Sequence, residues 1–329
     1  MKALVATNKN EPLVCKDVEM PVPGDGEVLI RMQAGALNHR DVWILKGMYT
    51  GLTFPSILGS DGVGIDPDGR SVIINPSICY GKNPADKSGT YQIGGDYYRS
   101  LGMPQSGTFA EYMAIHKDYV VAKPKHMRIE EAAALPLAGL TAWRALFTKC
   151  KAKKGDKVLI SGIGGGVALM AMQFAIAVGA SVYVTSSSEE KIARAMAMGA
   201  KGGALYTQAG WAKGFGKSVG GFDVIIDSAG GDGFSDLIRL CNQEARVCFY
   251  GGTRGAINQL NPYPIFWNQL TIMGSTMGTA EDFREMVDFV DKYVIVPVVD
   301  SVYDLEDGNE ACLKMEAGGQ FGKIVLKIV

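Results

Sequence analysis

The sequence predicts an α/β protein in which a β-rich domain is followed by a doubly wound parallel sheet. Three observations carry this expectation. The chain has 329 residues, and a single core stops growing at roughly 250–300 residues, so two domains are expected. The second half alternates strand-like and helix-like runs, which right-handed crossovers turn into a parallel sheet. A glycine cluster separates the first strand of that series from its first helix.

Composition narrows the function classes. Hydrophobic residues make up 47% and charged residues 20%, a globular balance that excludes extended disorder. Lys plus Arg is 33 and Asp plus Glu is 34, whereas a dedicated nucleic-acid binder shows a basic excess. The 42 glycines follow no collagen period, so they indicate tight turns and close backbone approaches. The start MKALVATNKNEP lacks the apolar core of a signal peptide and reads as a strand. No charge occurs between Lys157 and Glu189, a length that permits a membrane span. Gly162, Gly164, Gly165, Gly166 and Gly179 interrupt that stretch, so a strand, a loop and a buried helix are expected there instead. Cysteines at 15, 79, 150, 241, 248 and 312 form no CxxC pair, so reduced thiols and a cytoplasmic location are expected.

Each element follows from its local pattern. KALVAT, EVLIRMQAGAL, SVIIN and FAEYMAI read as strands of the first domain. Asn75 to Thr108 is a long polar stretch, of a size that is usually functional or disordered. From Lys125 the texture changes to a helical run, EEAAALPLAGLTAWRALF. Strand KVLISG, an apolar helix over 167–178, strand SVYVTS, helix EEKIARAMAMG and strand DVIIDSAG follow. Helix FSDLIRLC, strand ARVCFYGG and strand LTIMGS complete the alternation. Helix AEDFREMVDFVDKY then leads to strands at VPVVDSVY and GKIVLKIV, which return to the first domain. The predicted division is 1–124 with 274–329, and 125–273.

The glycine loop carries the first chemical signal. Gly162, Gly164, Gly165 and Gly166, then Val167, run from strand into helix, the context of a dinucleotide fingerprint. Glycines admit a pyrophosphate, and the helix start offers unpaired N–H groups. Val167 stands where the fingerprint has its last glycine; a GxxG variant ending at Ala168 and a purely structural turn are the other readings. About 20 residues on, an NAD site places an acidic residue against the ribose 2′-hydroxyl. Here Ser186, Ser187 and Ser188 occupy that strand end, with Lys191 and Arg194 beyond. Hydroxyls with a lysine suit a 2′-phosphate, so NADP(H) is expected. Ser186 or Ser187 also suits a helix cap, completed by Glu189 or Glu190.

With these segments in view, the chain resembles the medium-chain dehydrogenase/reductase superfamily over nearly its whole length, and most closely its zinc-independent quinone oxidoreductase branch. The matching stretches are ALNHRDVWILKGMY (36–49), LGSDG (58–62), AALPLAGLTA (133–142), the glycine loop and GKIVL (322–326). The resemblance implies a GroES-like β-rich domain plus a Rossmann domain, with the site in the cleft between them. It also implies a homodimer or homotetramer, with Leu270 to Ser275 at a sheet-edge interface. Zinc members place ligands where this chain has Asn38, Ser60, Asp61 and Leu137; only the acid remains, and His39 matches a position beside the ligands. The cysteine cluster of the structural zinc is also missing, so no zinc is expected.

Without a metal, the resemblance implies that Tyr49 polarises the acceptor carbonyl, assisted by the Asn38 amide, with Asp41 orienting its neighbours. A core-edge aromatic and a helix cap are the plainer readings of Tyr49 and Asp41. It further implies that Thr141 lines the nicotinamide pocket and that Tyr206 stands near the 2′-phosphate. Phe249, Tyr250 and Gly251 end a strand where ligands bind in doubly wound sheets. The expected function is NADPH-dependent, metal-free hydride transfer to a quinone or an α,β-unsaturated carbonyl. An alcohol dehydrogenase acting on a simple alcohol or aldehyde and a non-catalytic NADPH-binding protein are the rivals. No membrane or nucleic-acid partner is expected.

Overall fold

The computed structural model describes residues 1–49, 51–78 and 99–329. Cys79 and most of the polar stretch from Asn75 to Thr108 lie outside the described residues. The chain forms two compact units, Met1–Leu140 with Gly278–Val329, and Thr141–Met277. The first division falls later than residue 124 because helix Ile129–Ala133 packs against strands Glu27–Ala36 and Asp61–Ile65 of the first unit. No helix among the described residues is long and apolar enough to cross a membrane.

The second unit is a six-stranded parallel sheet of Lys157–Ile160, Ser181–Ser186, Gly202–Leu205, Phe222–Asp227, Cys241–Phe249 and Thr271–Gly274. From edge to edge these run third, second, first, fourth, fifth, sixth, and every neighbouring pair is parallel. Strand order reverses between the first and fourth, and ligands of such sheets bind outside the carboxyl ends at that reversal. Leu159, Ile225 and Val247 pack with Phe222, Phe234 and Ile238 in its core. Strand Gly202–Leu205 and helix Trp211–Val219 are additions to the expected elements. Both contain two glycines, which erase the periodic signal. The single helix expected from Glu130 is instead three pieces, Ile129–Ala133, Pro136–Trp143 and a π-helical Arg144–Lys149. Pro136 lacks an N–H and starts a new helix there.

The first unit is built on one long strand, Glu27–Ala36, which pairs antiparallel with Asp61–Ile65, Tyr112–His116 and the C-terminal Lys323–Lys327. Ile30, Met32, Val72 and Ile74 form one apolar cluster beside it. Leu4, Leu37, Leu58, Phe109 and Ile324 form another. A shorter sheet of Leu13–Asp17, Lys2–Ala6 and Ser56–Ile57 flanks this core.

Candidate functional site

Strand register brings three distant residues together in the first unit. Ala36 faces Asp61 on one side of the long strand and Val325 on the other. Continuing the second register two steps sets position 323 opposite position 38. Asn38, Asp61 and Lys323 are all buried, at 8%, 0% and 3% exposure. The Lys323 ammonium donates to Asp61 Oδ2 at 2.6 Å, to Asn38 Oδ1 at 2.7 Å and to Leu37 O at 2.7 Å. Asn38 Nδ2 donates to the same Asp61 oxygen at 2.9 Å, and the Leu137 N–H donates to Asp61 Oδ1 at 2.5 Å. An ammonium has three protons, and all three are used within the protein. That saturation is what lets an ion pair persist without water.

A second cation stands close by in sequence. Arg40 Nη1 donates to Ser60 Oγ and to Leu101 O, both at 2.5 Å, and Nη2 donates to Met103 O at 3.2 Å. The Ser60 hydroxyl donates in turn to Leu101 O at 2.8 Å. The guanidinium also lies 5.7 Å from the centre of the Tyr49 ring, a cation–π distance that fixes the ring without engaging its hydroxyl. Tyr49 is 44% exposed.

This donor set does not fit a catalytic zinc. Zinc needs about three nitrogen, sulfur or oxygen ligands turned toward one point. Here the Asn38 oxygen and the Asp61 carboxylate already hold an ammonium, and the Ser60 hydroxyl holds a guanidinium. Leu137 offers no side-chain ligand; its N–H is directed to Asp61. A divalent ion would meet two positive charges at these residues. Among the described residues, no three His, Cys, Asp or Glu gather as a ligand group.

The Asn38 and Asp41 side chains are both engaged in hydrogen bonds within the first unit. The Asn38 amide does not face outward as a donor, because its protons go to Asp61 Oδ2 and to Ala36 O. It positions its neighbours. Asp41 is 0% exposed and accepts the Asn38 backbone N–H at 2.8 Å, closing the capping box of helix His39–Leu45. It therefore caps this helix and, through the Asn38 backbone, orients its neighbour. Burial pushes the Asp41 carboxyl up to about 6, against the pull of the Arg40 charge and the Asn38 N–H. Sequence reasoning missed Arg40 and Lys323. Asp61, the one charge in the run ILGSDGVGI (57–65), was the signal that a buried cation had to exist.

The second unit gathers most of the expected cofactor residues at the carboxyl ends of its strands. Gly162 and Gly164 take φ of 65° and 130°, values that L side chains rarely adopt. The loop is pinned to the next strand by the Ile163 N–H on Thr185 O at 2.8 Å. Helix Gly166–Ala177 starts at Gly165 with no side-chain cap, so the N–H groups of its first turn, Gly166 and Val167, have no intrahelical acceptor. Ser188 caps the following helix by accepting the Lys191 N–H at 3.3 Å, and Ser186 is buried beneath it, accepting the Ser188 N–H at 3.1 Å. Ser187 is exposed at the tip. The Tyr206 N–H donates to Ser186 O at 3.1 Å, which sets Tyr206 beside these serines. Phe249, Tyr250 and Gly251 leave the fifth strand, with the Tyr250 N–H on Asp227 O at 3.0 Å. Burial pushes the Tyr250 phenol up. Thr141 is buried in helix Pro136–Trp143. Glycine conformations, an uncapped helix start and clustered hydroxyls fit a dinucleotide.

Comparison with known proteins identifies the same two domains. Residues 24–125 match the alcohol dehydrogenase GroES-like domain, and residues 166–292 match the zinc-binding dehydrogenase model. The chain is 35% identical to a zinc-type alcohol dehydrogenase-like protein, YogA, of Leptosphaeria maculans, over 96% of this chain and 95% of that protein. It is 29% identical to the quinone oxidoreductase of Mus musculus, over 99% of this chain and 97% of that protein. A crystal structure described as an NAD-dependent alcohol dehydrogenase superposes with a TM-score of 0.93 at 35% identity, covering 100% of both chains.

Proposed function

This chain belongs to the medium-chain dehydrogenase/reductase superfamily, with a GroES-like and a Rossmann domain, and we propose that within it the protein is a metal-free, NADPH-dependent reductase of quinones or α,β-unsaturated carbonyls. We place it in the cytoplasm as a homodimer or homotetramer. The observation that carries the reading is the pair of protein cations, Lys323 and Arg40, bonded to the residues at the zinc-ligand positions.

When bound, NADPH supplies the hydride, and the chain supplies binding, orientation and electrostatics. The glycine loop and the first turn of helix Gly166–Ala177 would receive the pyrophosphate. Ser187, Lys191 and Tyr206 receive the adenosine 2′-phosphate, since no acid stands at the strand end to grip a free 2′-hydroxyl. The Tyr49 hydroxyl would donate to the substrate oxygen, the atom on which negative charge develops during reduction. Arg40 holds the Tyr49 ring, and the Lys323–Asp61–Asn38 network fixes the start of the helix that leads to it.

The test is NADPH oxidation with a panel of quinones and enones, in the presence of a chelator. Turnover that survives chelation supports the proposal; absence of turnover on every acceptor leaves a nucleotide-binding protein without catalysis. The 35% identity to a structure described as an NAD-dependent alcohol dehydrogenase favours a second reading, alcohol oxidation. NAD⁺ with primary and secondary alcohols tests it in the same assay.

A further inference from the structure

We infer that Arg254 is a specificity-determining residue that grips the adenosine 2′-phosphate, an inference that rests on the NADPH reading above. Its backbone is firmly held. The Arg254 N–H donates to Ala229 O at 2.9 Å, and the Gly231 N–H donates to Gly255 O at 3.1 Å. The two loops are therefore stitched together on both sides of Arg254. A Cβ on Gly231 would come within 2.7 Å of the Arg254 Cβ and 2.8 Å of its carbonyl oxygen, so this close approach requires glycine.

The side chain leaves this anchor and reaches an unexpected neighbour. The guanidinium lies 5.9 Å from the centre of the Tyr206 ring. Tyr206 follows the third strand of the sheet, whereas Ala229 follows the fourth. The second and first strands lie between those two in the sheet, and neighbouring strands are about 4.8 Å apart. The contact between the two side chains therefore joins loops from either side of those two strand ends. The ends they span carry Ser186 to Ser188 and the glycine loop. Arg254 and Tyr206 thus arch over the crevice where a doubly wound sheet takes its nucleotide.

The chemistry of the arch selects its ligand. Arg254 is exposed, and among the described residues its guanidinium has no carboxylate partner. A guanidinium is planar and always charged, stacks on a flat ring and forks around a phosphate. Ser187 is exposed nearby and Lys191 follows one turn into the next helix. The crevice thereby presents an aromatic face, a hydroxyl and the Arg254 guanidinium. That set matches an adenosine carrying a phosphate on its ribose better than one carrying a bare hydroxyl. On binding, the guanidinium exchanges its ring contact for the phosphate oxygens.

The experiment uses the whole chain without added cofactor and measures dissociation constants calorimetrically for 2′,5′-ADP and 5′-AMP, in wild type, Arg254→Ala and Arg254→Lys. Circular dichroism checks that each variant is folded. Arg254→Ala is expected to weaken 2′,5′-ADP by roughly ten- to a hundred-fold, the range of one charged hydrogen-bonded contact, and to leave 5′-AMP nearly unchanged. Arg254→Lys recovers part of the loss, because charge is kept and the fork is lost. Equal losses for both nucleotides, or no loss for either, overturn the inference while a wild-type preference for 2′,5′-ADP still supports NADPH. A wild type that binds the two nucleotides equally overturns the NADPH reading and the inference together.

Discussion

Replacing Lys323 with methionine is the sharpest perturbation of the buried network. The variant keeps the length and apolar stem of the side chain but removes the charge that Asp61, at 0% exposure, depends on. Asp61 would retain two donors, Asn38 Nδ2 and the Leu137 N–H, while losing the ammonium at 2.6 Å. Asn38 Oδ1 and Leu37 O would each lose a donor as well. Breaking a buried ion pair from one side costs about 3–5 kcal/mol. The remaining donors place this case near the lower end, about 3 kcal/mol. For a unit of this size that corresponds to a fall in Tm of about 6–12 °C. Urea unfolding followed by fluorescence measures the loss, with Trp43 reporting from the helix His39–Leu45 itself. The double variant Lys323→Met with Asp61→Asn removes both charges and should recover most of the stability, because the carboxylate is no longer stranded. A single-variant loss below about 1 kcal/mol, the scale of an exposed pair, would refute the reasoning. So would a double variant as unstable as the single one.

Three further outcomes are expected. Tyr49→Phe should slow reduction of an enone by up to roughly a hundred-fold in kcat and leave the NADPH dissociation constant unchanged, because the lost donor acts on charge that develops in the transition state; stopped-flow kinetics with NADPH titration separates the two. Lys191→Ala should weaken NADPH by roughly ten-fold or more and NADH little, as fluorescence titration of both cofactors would show. The Asp41 carboxyl, raised from 3.8 to about 6 in the fold, favours its protonated form there. Its contribution is fully present below pH 3.8 and is lost as pH rises through about 6, in total about 3 kcal/mol. Asp41→Asn lacks this titration, so its stability relative to wild type should climb between pH 4 and 7; a difference that stays flat across urea titrations over that range would show that Asp41 is not desolvated.

Much of this architecture can be read from sequence because local patterns and global topology agree. The alternation from Lys157 to Gly274 needs only apolar periodicity and glycines at the turns, and the glycine loop sits between a strand and a helix as its chemistry requires. Elements with little periodic signal were invisible. The strand Gly202–Leu205 is half glycine, and the helix Gly308–Ala317 is amphipathic only weakly. The site was legible in position and not in wiring. Asn38 and Asp41 lie on an identifiable motif, yet their hydrogen bonds are set by a strand that arrives from residue 323. Lys323 itself looks like an ordinary strand lysine, since nothing local marks it as buried. Only the pairing of Val325 with Ala36 carries it to Asp61.

We propose that protein cations, and not a metal, stand at the heart of this site. The direct measurement is elemental analysis of the purified chain together with NADPH-dependent enone reduction before and after exhaustive chelation. No stoichiometric zinc and an unchanged rate after chelation are expected. About one zinc per chain, with activity lost on chelation and restored by added zinc, would contradict it.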